Sequence, residues 1–238
     1  MKIMIFDDFP FTIDEQKIIK RFAFNEEEDI ESIRTLCNLA REIARPKIAM
    51  AVAYIDEISE CHVKIGDTVF ESRLLAENMK ETEKAVPYII TCGREVYEWA
   101  GSIEGYIEKY IAEQIKIEVL GAASVYFAHY VKTNIYPEKS SSMNPGSLPD
   151  WPLGEQKKLF RLFSDAAEKI GVSLTDSCLM IPDKSVSGIV FQKESSFINC
   201  MLCNRENCPG RRADYERSSN ETVKSKVSGD GILREAGK

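Results

Sequence analysis

The run AVPYIITCG, residues 85–93, is apolar almost throughout, which predicts a strand buried on both faces. KIAMAVAYIDEI (47–58) and CHVKIGDTVF (61–70) read as two more strands either side of a turn, with Gly66-Asp67 a tight turn inside the second. KIMIF near the start is a short strand. A turn at Pro10 and a helix follow it, with Thr12 as cap and Glu15 three residues on. Across residues 25–45 the apolar positions Ile30, Ile33, Leu36, Cys37 and Ala40 share one helical face. Asn25 is the expected cap there, acids crowd the positive end of the helix dipole, and Pro46 stops the helix. Helices are also predicted for 72–84, from 94 onward, along 102–132, and for 155–171. The last turns Leu159, Leu162, Phe163 and Ala166 inward and ends at Gly171. Residues 172–191 read as two extended arms joined near Pro182-Asp183. Helix and strand alternate in no regular β-α-β series, so the expected class is α+β.

The same pass divides the chain. We expect an N-terminal helical segment (1–46), a core (47–199), a cysteine-rich segment (200–215) and a polar, Ser- and Gly-rich flexible tail (216–238). The 238 residues, 44% of them hydrophobic, suit one large domain. No apolar stretch approaches the roughly 18 residues a membrane span needs. Asp7 and Asp8 interrupt the N-terminus before a secretory core can build up. The formal charge of -7, with lysines and arginines scattered, argues against a nucleic-acid partner. Seven cysteines, an odd number, point to a reducing, cytoplasmic setting. Dinucleotide, phosphate-loop, zincin and serine-hydrolase motifs are all missing. His62 and His129 stand far apart in sequence and read as ordinary surface residues.

Three stretches carry candidate chemistry. The first is the loop NPGSLPDW, residues 144–151. Pro145, Pro149 and Pro152 each fix a φ angle and Gly146 permits a tight turn. Backbone groups around Asn144, Pro145, Gly146 and Ser147 are thus positioned to meet a polar ligand, with Trp151 as a contact face or as core filling. The second is Lys184 with the arm Ser185-Val186-Ser187-Gly188. Its small residues permit either close approach of a partner or tight sheet packing, and the lysine is a candidate for a phosphate or carboxylate.

The third stretch is Cys200-x2-Cys203-x4-Cys208-Pro-Gly. Three soft thiols within nine residues can share one metal, with Cys178 a candidate fourth ligand. Arg205, Arg211 and Arg212 would lower the thiol pKa values and offset the cluster's charge. Iron–sulfur, zinc and metal-free thiols all remain open on spacing alone. Cys37, Cys61, Cys92 and Cys178 otherwise read as core filling. The small-residue patch Gly121-Ala-Ala-Ser124 suggests tight helix packing or the approach of a large flat ligand.

Several of these residues occur in a familiar order: Pro145-Gly146, Glu155 opening a helix, Leu174-Thr175-Asp176-Ser177, Met180, Pro182, and Ser185-Val186-Ser187-Gly188. The segment resembles the S-adenosylmethionine-binding reactivation domain of cobalamin-dependent methionine synthase. It is most similar to the short stand-alone form found in anaerobes, which ends in a cysteine group. The resemblance continues in weaker form over about 47–131. It implies a twisted, mostly antiparallel sheet with surrounding helices. It also implies docking on a corrinoid protein or B12-dependent methyltransferase, whose cobalamin is kept reduced or methylated. One departure bears on the ligand. The family carries an arginine three residues before the Pro-Gly proline and a tyrosine just after the glycine, where this chain has Ser142 and Ser147. A serine supplies no charged fork for a carboxylate, which speaks against S-adenosylmethionine binding.

The expectation is therefore a corrinoid-associated accessory protein supporting reductive activation or methylation of a separate B12-dependent methyltransferase. An iron–sulfur cluster, or zinc, would sit on its cysteines. The alternatives are an S-adenosylmethionine-dependent component that methylates cobalamin, and a metal-stabilised scaffold without redox activity.

Overall fold

In the computed structural model, which describes residues 1–24, 26–193, 201–203 and 213–214, the chain opens with strand β1 (Lys2–Phe6) and helices α1 (Glu15–Phe22) and α2 (Glu27–Ile43). Strands β2 (Lys47–Tyr54), β3 (Glu57–Ile58), β4 (His62–Ile65) and β5 (Thr68–Glu71) follow. Next come α3 (Arg73–Met79), β6 (Lys84–Thr91), α4 (Arg94–Ser102) and the 29-residue α5 (Tyr106–Asn134). Strand β7 (Ser140–Met143) leads through a 3-10 turn, Leu153–Glu155, into α6 (Gln156–Leu162) and α7 (Ala166–Lys169). Strands β8 (Ser173–Leu174), β9 (Met180–Ile181) and β10 (Ser185–Gln192) complete the described elements.

The main sheet runs β1-β2-β6-β10-β7 and every pairing in it is antiparallel. The expected α+β class, with a mostly antiparallel sheet among helices, is what forms. β6 lies in the middle, which explains its unbroken apolar run. Strand alternation sorts its side chains into two layers. Ile48, Met50, Val86, Tyr88, Ile90 and Val190 face the second half of α5, where Ala123, Phe127 and Val131 meet them. Ala49, Ala53, Ala85, Ile89, Ile189 and Phe191 face the other way, onto the small β3-β4-β5 sheet, α3, α6 and α7. The first half of α5 packs Ile111, Ile115 and Val119 against α1, α2 and α4 instead. Because α5 serves two cores with two different faces, its sequence shows no single apolar stripe. Residues 1–46 supply both the outer strand β1 and part of this helical cluster.

Four local expectations need correction. The cap of α1 is Asp14, whose carboxylate accepts from Lys17 N at 3.2 Å, rather than Thr12. The helix capped by Ser72 stops at Met79, because the following residues must turn into β6. The segment 155–171 is broken at Ser164 (φ 49°), with 3-10 bonds at Phe163 and Ser164. Ser164-Asp165 competes locally with helical bonding. Yet Leu159, Leu162, Phe163 and Ala166 all point inward as predicted, and Gly171 closes the segment at φ 75°. At Gly121 an added Cβ would meet nothing within 4 Å, so of the small-residue patch Ala123 is the member that packs fully.

Candidate functional site

The fold brings two of the three candidate stretches together. β7 pairs with β10 in the register Ile189↔Met143, so the loop leaving β7 begins beside the arm. Asn144 makes the junction. Its amide donates to the Ser187 carbonyl at 2.7 Å and to the Tyr88 hydroxyl at 2.8 Å. Gly188 is required at this crossing. A Cβ there would lie 2.5 Å from both the Met143 carbonyl oxygen and Asn144 Nδ2, and 2.9 Å from the Tyr88 hydroxyl. The loop then turns on Gly146 (φ 79°), whose N–H donates to the Trp151 carbonyl at 2.8 Å, while Ser147 N donates to the Asn144 carbonyl at 3.2 Å.

The far end of the loop is nailed to the core. Trp151 is fully buried and meets Phe70 edge-on at 5.9 Å between ring centroids. It belongs to the interior, so the expectation that it offers a contact face is corrected. Leu148 is buried beside it. Asp150 accepts from Ser72 Oγ and from Leu74 N (2.9 Å), which ties the loop to the start of α3. Glu155, also buried, accepts from Glu71 N at 2.9 Å and pairs with Lys158 at 2.7 Å.

The arm is held by charge. Lys116 of α5, 3% exposed, pairs with Glu113 at 2.7 Å and Asp183 at 3.0 Å, and its ammonium lies 5.0 Å from the Tyr97 ring centroid. Lys184 completes the group with Glu113 (2.8 Å) and Asp183. Burial alone would push the two carboxyls up. Hydrogen bonds and attraction from the two lysines outweigh it and hold Glu113 and Asp183 below their ordinary values. Burial likewise works to lower Lys184, but Asp183 and Glu113 win and raise it. The two cations and two anions cancel. Lys184 is thus committed inside the protein, which corrects its expected role as a receptor for an outside phosphate or carboxylate. On the strand itself Ser185 Oγ lies 2.9 Å from Thr91 Oγ1, and Ser187 is buried with its hydroxyl unpartnered among the described residues.

Of the proposed wall, Gly146 is exposed and Asn144, Ser147, Lys184 and Ser185 are half-buried, while Pro145, Trp151, Ser187 and Gly188 are interior. The residues left exposed or half-buried there are small or polar, Lys184 apart. Two recesses of about 490 and 590 Å³ open elsewhere, the first beside Lys139 and Gln192 and the second beside Tyr54 and Arg161. Sequence reasoning missed Tyr88, Asp150, Glu113 and Lys116. The acids and the lysine carried a signal, being charges inside otherwise apolar or rigid stretches, but apart from the local Glu113–Lys116 pair their partners lie 67 to 78 residues away.

Cys200 and Cys208 lie outside the described residues. Cys203 is partly buried against the main core, and among the described residues no three His, Cys, Asp or Glu side chains group to hold a metal ion. Cys178 is buried with φ 66°, and its thiol points to its own turn at the Asp176 carbonyl, 3.9 Å away. Cys37 and Cys92 are core fillers as expected; burial pushes their thiols up to about 11 and about 12. Cys61 is exposed, contrary to the core reading. His62 sits half-buried between Ser59 Oγ (2.7 Å) and Glu57 (3.2 Å), and His129 is exposed.

The loop 144–151 contains no lysine or arginine, Ser142 is paired into the sheet opposite Val190, and Lys184 is already neutralised.

Comparison with known proteins places the same segment. Residues 144–217 match the family described as "Vitamin B12 dependent methionine synthase, activation domain". Among solved structures, the chain is similar to the MetH reactivation domain bound to AdoHcy. The TM-score is 0.62 at 12% identity, over 83% of this chain and 80% of that one. A likeness at that identity is one of fold. No curated protein matches the sequence. The resemblance first carried by residues 144–188 thus holds for the segment and for the architecture.

Proposed function

We propose that this chain, with its activation-domain fold and matched loop segment, is an accessory protein of cobalamin-dependent methyl transfer. It docks on a separate B12-carrying methyltransferase and supports that enzyme's reductive activation or methylation. One observation carries the reading: the matched stretch contains both the loop and the arm, which meet through Asn144. The residues there suit recognition rather than bond making. They offer an amide, hydroxyls and backbone groups on a frame stiffened by prolines, so little freedom is lost on docking. The two carboxylates beside the arm, Glu113 and Asp183, are taken up by Lys116 and Lys184.

The docking test is a pull-down with a purified corrinoid protein loaded with cobalamin, with and without reductant. Retention that depends on the cobalt state is expected; no retention in either state overturns the proposal. Donation of a methyl group from bound S-adenosylmethionine is the lesser reading, since the loop 144–151 itself carries no lysine or arginine and Lys184 is paired with Glu113 and Asp183. Calorimetry with AdoHcy, the molecule held by the solved relative, is expected to give no saturable binding, and tight binding would promote that reading. For the cysteine segment we propose metal binding on the spacing of Cys200, Cys203 and Cys208. Stoichiometric iron with sulfide, or zinc, in anaerobically purified protein is the expected finding; metal-free protein ends it.

A further inference from the structure

The two edges of the main sheet differ. β7 is a short serine-rich strand, and Ser141 and Ser142 have further partners. β1 reads KIMIF, pairs with β2 alone, and makes no other backbone bond among the described residues. Soluble proteins ordinarily blunt such an edge with charges, proline or a covering element. Here Ile5 is 38% exposed on it.

We propose that β1 is an interface on which a second copy of this chain docks, β1 against β1 in antiparallel fashion, giving a continuous ten-stranded sheet across a two-fold axis. The sequence of the edge supports a self-complementary register. Met4 and Phe6 face α5, where Tyr130 and Tyr126 lie against them (Phe6–Tyr130 4.8 Å, Phe6–Tyr126 6.0 Å), while Ile3 faces the opposite layer. A two-fold axis normal to the sheet keeps α5 on the same side in both copies, so residues of equal parity must stand opposite. With Ile5 opposite Ile5 of the second copy, Met4 meets Phe6 beneath the half-buried tyrosines, and Lys2 comes within reach of Asp8. The axis repeats each pair. Centring on Met4 instead sets Lys2 against Phe6 and leaves Asp8 unanswered; centring on Phe6 sets Asp8 against Met4. Of the three, the Ile5 register alone pairs Met4 with Phe6 and Lys2 with Asp8; it also sets Ile3 opposite Asp7, which like Asp8 lies past the end of the strand. It leaves β7 and the loop 144–151 free at both ends of the long sheet, so the proposal stands apart from the cobalamin reading.

Sedimentation equilibrium on the full chain over a concentration series tests it. The chain is expected to dimerise reversibly. Lys2→Asp and Asp8→Lys should each weaken association by about tenfold, since like charges then oppose each other twice. The double variant should restore it, and Ile5→Lys should weaken it as well. All three positions are solvent-exposed, and circular dichroism verifies folding. A chain that stays monomeric, a dimer indifferent to the single changes, or a double variant that fails to recover overturns the proposal.

Discussion

The loop 144–151 and the arm 183–188 meet at one point, yet they are held by different forces. The loop is fixed by a buried indole, a buried leucine, backbone hydrogen bonds and the Asp150 carboxylate, which accepts from neutral donors. The arm is fixed at its base by two lysines and two carboxylates. The first kind of anchor, which contains no ion pair within the loop, responds chiefly to cavity formation; the second responds to pH and salt. If the two stretches form one binding surface, its halves will fail under different conditions.

The largest expected effect is on the loop. Trp151→Ala empties a fully enclosed site beside Phe70 and should cost about 3–5 kcal/mol in denaturant unfolding. Trp151→Phe should cost much less, because the indole N–H has no partner to lose among the described residues. Equal costs would mean that the ring's polar atom matters after all. Next comes the junction. Gly188→Ala drives a Cβ to 2.5 Å from the Met143 carbonyl and should destabilise by about 1–3 kcal/mol. It should also loosen loop and arm together in hydrogen exchange, whereas loosening of one alone would deny that Asn144 couples them.

A smaller effect belongs to the arm. Lys116→Met removes a buried ammonium and leaves Glu113 and Asp183 with Lys184 only. Because both carboxylates are partly solvated, the loss should be about 1–2 kcal/mol. Faster exchange should be confined to residues 183–188; spread into 144–151 would erase the contrast.

The smallest effect is on pH dependence. The folded pKa values of Asp183 and Glu113 lie below the ordinary 3.8 and 4.5. Their contribution is therefore present above those values and lost as pH falls through the folded pKa values. Lys184 is raised above 10.5, so its share is present below that pH and lost as pH rises beyond it. Hydrogen exchange of the arm, after correction for intrinsic rates, should thus rise at both extremes before the loop responds. A loop that opens first in acid would reverse the assignment.

Much of this was legible in the sequence, and what was not has a common cause. Periodicity found β6, β2, β10 and the inward face of α6 and α7, because burial writes itself locally in alternation or in helical spacing. The bend at Gly146 and the close approach at Gly188 were legible through glycine and proline chemistry. The roles of Trp151 and Lys184 were not, since a tryptophan in a rigid loop serves equally as core or as contact face. The partners that decide, Phe70 and Glu113, are 81 and 71 residues distant in the chain. The division of α5 between two cores was hidden for the same reason.

The account turns on one claim, that the loop and the arm together are the face presented to a cobalamin-bearing partner. Hydrogen–deuterium exchange of the full chain, alone and with a purified corrinoid protein held in the cob(II)alamin state, tests it most directly. The account predicts new protection at residues 144–148 and 184–188 in the same experiment, with β1 unchanged. Binding that protects other surfaces and leaves both stretches exchanging as before would contradict it.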